Sequence, residues 1–375
     1  MTELTDDATT PPLQLAQRFD ALRILLTCGT GGVGKTTVAA ALGLAAAQRG
    51  RRVLVMTIDP ARRLADAMGL TSLGNEPQRV WQATRDGFLD CMMLDAKRTF
   101  DRVIERYAPS AEVAQRILHN KLYVQLSSAI TGSQEYMAME QLYQHTLDAH
   151  YDLIILDTPP SQHALDFFTA PQRMTRALTD SMLKLLLKPS LVAGRWGARL
   201  FARSTTTLLR MFGSITGAEM LQEMVELLTG ATELFTGFEQ RAQAVQKMLR
   251  DESTGILLVT VPSEDQLRDA RHFLQEARAS HMHLEGILFN RVTPQFDEAA
   301  VTTPSADDAM HSALRTALTQ LHARLLDART REQQLIAQYT EALQPPLPIG
   351  QLPLQTRPIH RLEDVMAVAD LLCGR

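Results

Sequence analysis

Arg23–Gly50 reads RILLTCGTGGVGKTTVAAALGLAAAQRG, and this stretch decides the fold. Arg23–Cys28 is a short apolar run of strand formers, and Gly29–Thr36 follows with the pattern G-x-x-x-x-G-K-T. An Ala-rich helical pattern then carries Val38, Leu42, Ala45 and Ala46 on one side, and Gly50 stands where a left-handed cap would end it. A loop between a strand and a helix N-terminus is an anion site, because its amide N–H groups converge on phosphate oxygens and the helix dipole adds positive potential. Gly29, Gly31, Gly32 and Gly34 let the backbone bend around phosphates with no Cβ in the way. Lys35 is expected to reach the β- and γ-phosphates and the Thr36 hydroxyl to ligate Mg²⁺, with Thr30, Val33 and Thr37 completing the lining. A chance glycine-rich turn would not bring a strand before it and a helix after it. The stretch predicts a nucleoside triphosphate site.

Composition bounds the rest. A chain of 375 residues holds one large or two modest domains, and 45% apolar with 21% charged residues describes a soluble globular protein. A formal net charge of −4 argues neither for nor against nucleic acid as a partner. Cys28, Cys91 and Cys373 are far apart and form no C-x-x-C, so neither a disulfide scaffold nor a thiolate metal site is expected. Met1–Pro12 is polar and acidic, unlike a secretory signal, and no apolar run approaches the roughly 18–20 residues that span a bilayer. The expected compartment is the cytoplasm.

Along the chain, Met1–Gln14 reads as disordered, with the folded domain expected from about residue 21. Arg52–Ile58 is a second buried-strand pattern ending in Asp59-Pro60. Strand, helix, strand with short joints is a βαβ unit, so the sheet should be parallel. Asp59 therefore falls at the carboxyl edge of the sheet, where ligands bind. There it would orient a water against the γ-phosphate, or cap the helix Ala61–Met68; the two roles can coexist. Thr71–Gln82 reads as loop and Phe88–Leu94 as a strand. Ala96–Asp148 reads as mostly helical, with Ser133 a helix cap and Glu135 in the first turn.

Tyr151–Pro160, YDLIILDTPP, sets Asp157 at the end of another apolar strand, where a carboxylate holds Mg²⁺, usually through water. Thr158–Pro171 follows as loop and helix start, with His163 read as a surface or hinge residue. Gln172–Leu249 shows no strand pattern. Between Gln172 and Phe212 eight Lys or Arg residues face one acid, Asp180, and Met220, Met224, Leu227 and Leu228 make a helical stripe. That stripe is either core or core plus a surface for a client or membrane. Gly255–Val261 and Leu284–Phe289 are strands, the second delivering Asn290 and Arg291. Leu314–Leu343 is a polar helix, Pro345–Leu354 holds a short last strand, and Arg361–Leu371 closes as a helix. His281 and His283 lack a third ligand and read as loop residues. The fold class is α/β, a doubly wound, mostly parallel sheet with a helical insert from about 96–148 and 172–250.

GTGGVGKTT, TIDPARRLAD (Thr57–Asp66), LDTPPSQHALDFFTAP (Leu156–Pro171), LFNRV (Leu288–Val292) and GQLPL (Gly350–Leu354) fall in the order of the ArsA/GET3-type ATPases, which the chain resembles from about residue 22 to 372. The resemblance implies a P-loop ATPase of the deviant Walker A branch, with ATP and Mg²⁺ as its ligands. It implies that Asp59 positions the attacking water, that Asp157 senses Mg²⁺ and the γ-phosphate, and that Thr36, Asp59 and Asp157 hold the metal, partly through water. Asn290 matches the residue that hydrogen-bonds adenine, beside Arg291, and Pro353 lies in the loop that packs over it. Such ATPases work as nucleotide-closed dimers, so a homodimer or a heterodimer with a paralogous ATPase is implied. A hydrophobic or membrane-protein client and peripheral membrane contact are further expectations, and nucleic acid is not expected as a partner.

Three departures stand out. Thr30 replaces the family's signature lysine, which reaches the partner's phosphates; a trans cation of that kind is worth on the order of 10³–10⁵ in rate where it acts as a finger. Arg62 or Arg63 would substitute, or a partner subunit would donate the charge. The zinc-binding C-x-x-C of the tail-anchored-protein factors is missing, and the cysteines are too dispersed for an arsenite site. A weakly catalytic regulatory subunit paired with a paralogue is the alternative reading.

Overall fold

The computed structural model describes residues 13–59, 61–83, 86–120, 123, 133–159, 240–295 and 309–373. They fall into two compact units, whose boundaries lie between Met93 and Leu94, Ala149 and His150, and Arg250 and Asp251.

The first unit is built on one eight-stranded sheet in the order β3-β4-β2-β5-β1-β6-β7-β8. Its strands are β1 (Ile24–Cys28), β2 (Arg52–Thr57), β3 (Gln78–Gln82), β4 (Phe88–Met93), β5 (Leu153–Asp157), β6 (Thr254–Thr260), β7 (Leu284–Val292) and β8 (Ile349–Pro353). Every neighbouring pair is parallel except β3 against β4. Strands β1, β5 and β6 are buried at every position, as parallel strands covered on both faces must be, which is why they read in sequence as unbroken apolar runs. Helix α2 (Lys35–Ala47) carries small residues on almost every side and is buried from Val38 to Ala47 between the sheet and the C-terminal helix. Burying side chains the size of Leu42 and Leu44 contributes about 1.5–3 kcal/mol each.

Three expectations are corrected. The folded part begins before residue 21: α1 (Leu15–Arg18) is helical, with Leu15, Phe19 and Leu22 in the core. The Leu13 N–H donates 2.8 Å to the Ile349 carbonyl, and Arg18 forms a bidentate pair with Glu285. Those partners lie hundreds of residues away, beyond the reach of local polarity. Within Thr71–Gln82, read as loop, Gln78–Gln82 is the antiparallel edge strand β3. An edge strand with exposed Gln78, Arg79 and Gln82 has little apolar alternation to declare it. Short α3 (Arg63–Ala67) follows β2.

The second unit is helical in its described part: α4 (Ala96–Tyr107), α5 (Ala111–His119), α6 (Ser133–Leu147) and residues 240–249. Asp95 and Ser110 cap α4 and α5, accepting from Arg98 N–H at 3.0 Å and Val113 N–H at 3.3 Å. Its core gathers Val103, Ile104, Ile117, Tyr136, Met137 and Ala242. In the first unit, α7 (Glu264–Ala279) precedes β7, α8 (Ala309–Glu341) precedes β8, and α9 (Leu362–Cys373) packs on α2. Helix α8 starts earlier than the polar pattern indicated. His163, the cationic stretch after Gln172 and the Met220–Leu228 stripe lie outside the described residues.

Candidate functional site

The loop Gly29–Gly34 leaves the central strand β1 and enters α2 at Lys35. Gly29 has φ +151°, and a Cβ there would lie 2.0 Å from the Val259 carbonyl oxygen of β6. Gly34, at φ +92°, is the N-cap of α2, and its Cβ would lie 2.4 Å from Asn290 Nδ2. Neither place admits a side chain. Gly31 and Gly32 form the exposed bend, Val33 is buried beneath it, and Thr37 is half-buried in the first turn. With Gly34 as N-cap, no side chain caps α2, so its first amides stay free for an anion.

Lys35 is buried and its ammonium donates 2.8 Å to the Thr30 carbonyl oxygen, folded over the loop. Burial lowers its pKa, opposed by the nearby Asp157 charge. Thr30 is itself buried, and its hydroxyl has no hydrogen-bond partner among the described residues. The position of the signature lysine is therefore a neutral, enclosed side chain.

Asp157 ends β5 with 1% exposure. Its Oδ2 accepts from the Thr36 hydroxyl at 2.6 Å and from the Thr57 hydroxyl at 3.0 Å. Oδ1 is buried with no hydrogen-bond partner among the described residues. Burial raises its pKa from 3.8 to about 6; the two hydroxyls and Lys35 oppose the rise. An orphaned carboxylate oxygen beside a threonine hydroxyl is a hard-oxygen donor set, and it suits Mg²⁺. The residues present fit that ion.

Asp59 lies two residues past β2, its N–H 3.2 Å from the Thr57 hydroxyl oxygen. Its Oδ1 accepts from the Ala61 N–H at 2.9 Å, closing a turn rather than capping a helix, since the helix starts at Arg63 with Arg62 as N-cap and no side-chain cap. Its Oδ2 accepts from Arg63 Nη1 at 2.7 Å. Arg62 is exposed at the start of α3. On the other side of the loop, the buried Asn290 donates 2.7 Å to the Val33 carbonyl and accepts from the Arg291 N–H at 2.8 Å. Arg291 is exposed at φ +58°, a conformation uncommon outside glycine. Pro353 ends β8 opposite Val292 in the register, so Asn290, Arg291 and Pro353 stand at the same end of neighbouring strands.

The structure thus gathers Lys35, Thr36 and Asp157 at the carboxyl edge of the sheet, joins Asp59 to them through Thr57, and ties Asn290 to the loop. Thr57 and the Arg63–Asp59 pair went unassigned in the sequence. A threonine two places before a strand-end aspartate was the available signal for Thr57. Cys28, directly before the loop, is fully buried, and burial pushes its thiol up to about 12. Among the described residues no group of three or more His, Cys, Asp or Glu could hold a metal ion, and no helix is long and apolar enough to cross a membrane.

A central parallel strand, a glycine loop on a helix N-terminus and a strand-end aspartate on the loop threonine define a nucleotide-binding ATPase of the P-loop class. Residues 22–374 match the family of anion-transporting ATPases, ArsA ATPases, and the chain belongs to that family. Relatives include the ATPase get3 of Botryotinia fuckeliana, 28% identical over 294 residues covering 76% of this chain and 77% of that protein. The ATPase GET3 of Malassezia globosa is 25% identical over 296 residues, 78% of this chain and 79% of its own length. That of Mycosarcoma maydis is 30% identical over 177 residues, 47% and 50% respectively. ATP hydrolysis is the activity of the family and of this chain.

Proposed function

We propose that this ATPase works as a nucleotide-closed dimer whose cycle opens and closes a surface for a hydrophobic client, such as a membrane-protein segment, in the cytoplasm. The observation that carries the ATP-site part is the convergence of the Thr36 and Thr57 hydroxyls on one oxygen of Asp157, with the other oxygen left bare. Thr36 and Asp157 would hold Mg²⁺, with Asp59 reaching it through water. Bound there, the ion would supply charge neutralisation to the phosphates. Lys35 leaves the Thr30 carbonyl for the phosphates, and the amides of Gly31–Thr37 enclose them. Asp59 orients the attacking water. Asn290, Arg291 and Pro353 border the adenine, where Asn290 still has one N–H and one lone pair to give. Client and ATP need only prefer the same dimer state for their binding to be coupled.

A second reading rests on Thr30. A buried, uncharged residue there supplies no cation to a facing subunit, which favours a weakly catalytic chain paired with a paralogue that does. One experiment addresses both readings: the mass of the complex in solution with and without ATP and magnesium, with every co-eluting chain identified and turnover measured. A homodimer that closes on ATP and retains apolar-tailed proteins in the Asp59→Asn variant supports the first. A chain inactive alone and active with a paralogue supports the second. A monomer in every condition refutes the dimer in either form.

A further inference from the structure

We infer that Arg63 is a phosphate ligand acting within its own subunit, stored on Asp59 until a triphosphate arrives; this rests on the ATP site proposed above. Arg63 opens α3, the helix that follows the Asp59 turn. Its side chain is 61% exposed, yet it folds back along its own helix end so that the guanidinium meets Asp59 Oδ2 at 2.7 Å. The Arg63 side of the pair is open to water, which competes for the guanidinium, while the Asp59 side chain is 19% exposed. Asp59 Oδ2 is the oxygen with no other partner in the turn, since Oδ1 is engaged by the Ala61 N–H. The pair therefore occupies the atom that would face a water.

Charge gives the arginine its second destination. Asp59 is joined through the Thr57 hydroxyl to Asp157, and Asp157 to Thr36 at the start of α2, so the Arg63–Asp59 pair and the loop share one hydrogen-bonded neighbourhood. A triphosphate brings several negative charges to that neighbourhood, while the buried Thr30 brings none that is positive. A guanidinium prefers phosphate oxygens to a carboxylate with which it holds only one bond, as here, because its planar fork binds them in pairs. Moving from Asp59 to the terminal phosphate also frees Oδ2 at the moment a water needs an acceptor. The exchange makes ATP binding and release of Asp59 one event. Arg63 is on this account a binding and positioning residue.

The test is equilibrium titration of the parent, Arg63→Ala and Arg63→Lys with ATP and with ADP, in magnesium, alongside Lys35→Ala. Arg63→Ala should weaken ATP about tenfold and leave ADP within about twofold. Arg63→Lys, a point charge without the fork, should fall between. The exposed position predicts an unchanged melting temperature. Equal losses for ATP and ADP, or no loss for either, overturn the inference. Lys35→Ala separates the two levels: if it binds nucleotide as the parent does, the ATP site itself is wrong. If it alone loses binding, only the role of Arg63 is.

Discussion

Replacing Asp157 by asparagine should make the nucleotide-free protein more stable above pH 6 while removing its response to magnesium. The carboxyl is 1% exposed, and burial lifts its pKa from 3.8 to about 6. Between those values the folded chain holds a proton that the unfolded chain has released. Stability therefore falls as pH rises through that window, and the full penalty is present above it. At 1.36 kcal/mol per tenfold change in proton affinity, the penalty is about 3 kcal/mol. Asparagine carries no such charge; its carbonyl can accept from Thr36 and Thr57, while its NH₂ takes the unpartnered place of Oδ1 at a cost of about 1–3 kcal/mol. That cost is the same at every pH. The reading is thus the difference between parent and Asp157→Asn in urea unfolding, followed by circular dichroism from pH 4 to pH 8 without nucleotide. The parent should lose roughly 2–2.5 kcal/mol relative to the variant across the range, part of the penalty being present already at pH 4. With ATP and magnesium present the parent should regain stability and the variant should not. A difference independent of pH, or one growing in the parent's favour, would refute both the buried charge and its assignment to the metal.

Other outcomes follow from the same geometry. Gly29→Ala drives a Cβ to 2.0 Å from a backbone oxygen, so it should cost about 3 kcal/mol or more and abolish nucleotide binding, read by thermal melting and titration. In the helical unit Glu140, fully buried, faces Arg241 at 3.2 Å, with the guanidinium 3.7 Å above the Tyr107 ring. Glu140→Ala should cost about 3–5 kcal/mol, seen as lost hydrogen-exchange protection of Ser133–Leu147. Of the three thiols, Cys28 and Cys91 are buried with raised pKa and Cys373 is partly exposed. A disulfide reagent at pH 8 should therefore modify one thiol in the native protein and three after denaturation.

How far the fold could be read in the sequence follows burial. Strands β1, β5 and β6 announce themselves because a parallel sheet covered on both faces demands unbroken apolar runs. The same physics hides β3, an edge strand whose apolar residues, Val80 and Trp81, are adjacent rather than alternating and only partly buried against the core. It also hides the anchoring of residues 13–22, whose order comes from Ile349 and Glu285 rather than from neighbours in sequence. The placement of Lys35, Thr36, Asp59 and Asp157 at the carboxyl edge was legible because each sits at a fixed offset from a strand end. The Thr57 bridge was not, since it depends on which strand lies beside β5. Nor was the Arg63–Asp59 pair, which depends on how the chain turns after Asp59.

Register makes the difference between a list of motifs and a site. Thr27 and Thr57 both pair with Asp157, so β1, β5 and β2 end level, with the loop, Asp157 and the Asp59 turn side by side. A slip of one residue would turn Asp157 to the other face of the sheet. The slip is opposed at the far end of β2, where Arg52 pairs with Asp152 at 2.6 Å, a link that carries no chemistry but holds the level. With the level fixed, Asp157 Oδ2 is shared by two hydroxyls, one on the phosphate-binding helix and one on the strand that leads to Asp59. Drawing Thr36 away to a metal leaves Thr57 as the remaining donor to that oxygen. Thr57 is also the residue whose oxygen receives the Asp59 N–H. Asp59 is therefore joined to Asp157 by a chain of two hydrogen bonds, from its backbone N–H to the Thr57 hydroxyl and from that hydroxyl to Asp157 Oδ2, so a change at Asp157 reaches the turn that carries Asp59 without movement of the sheet.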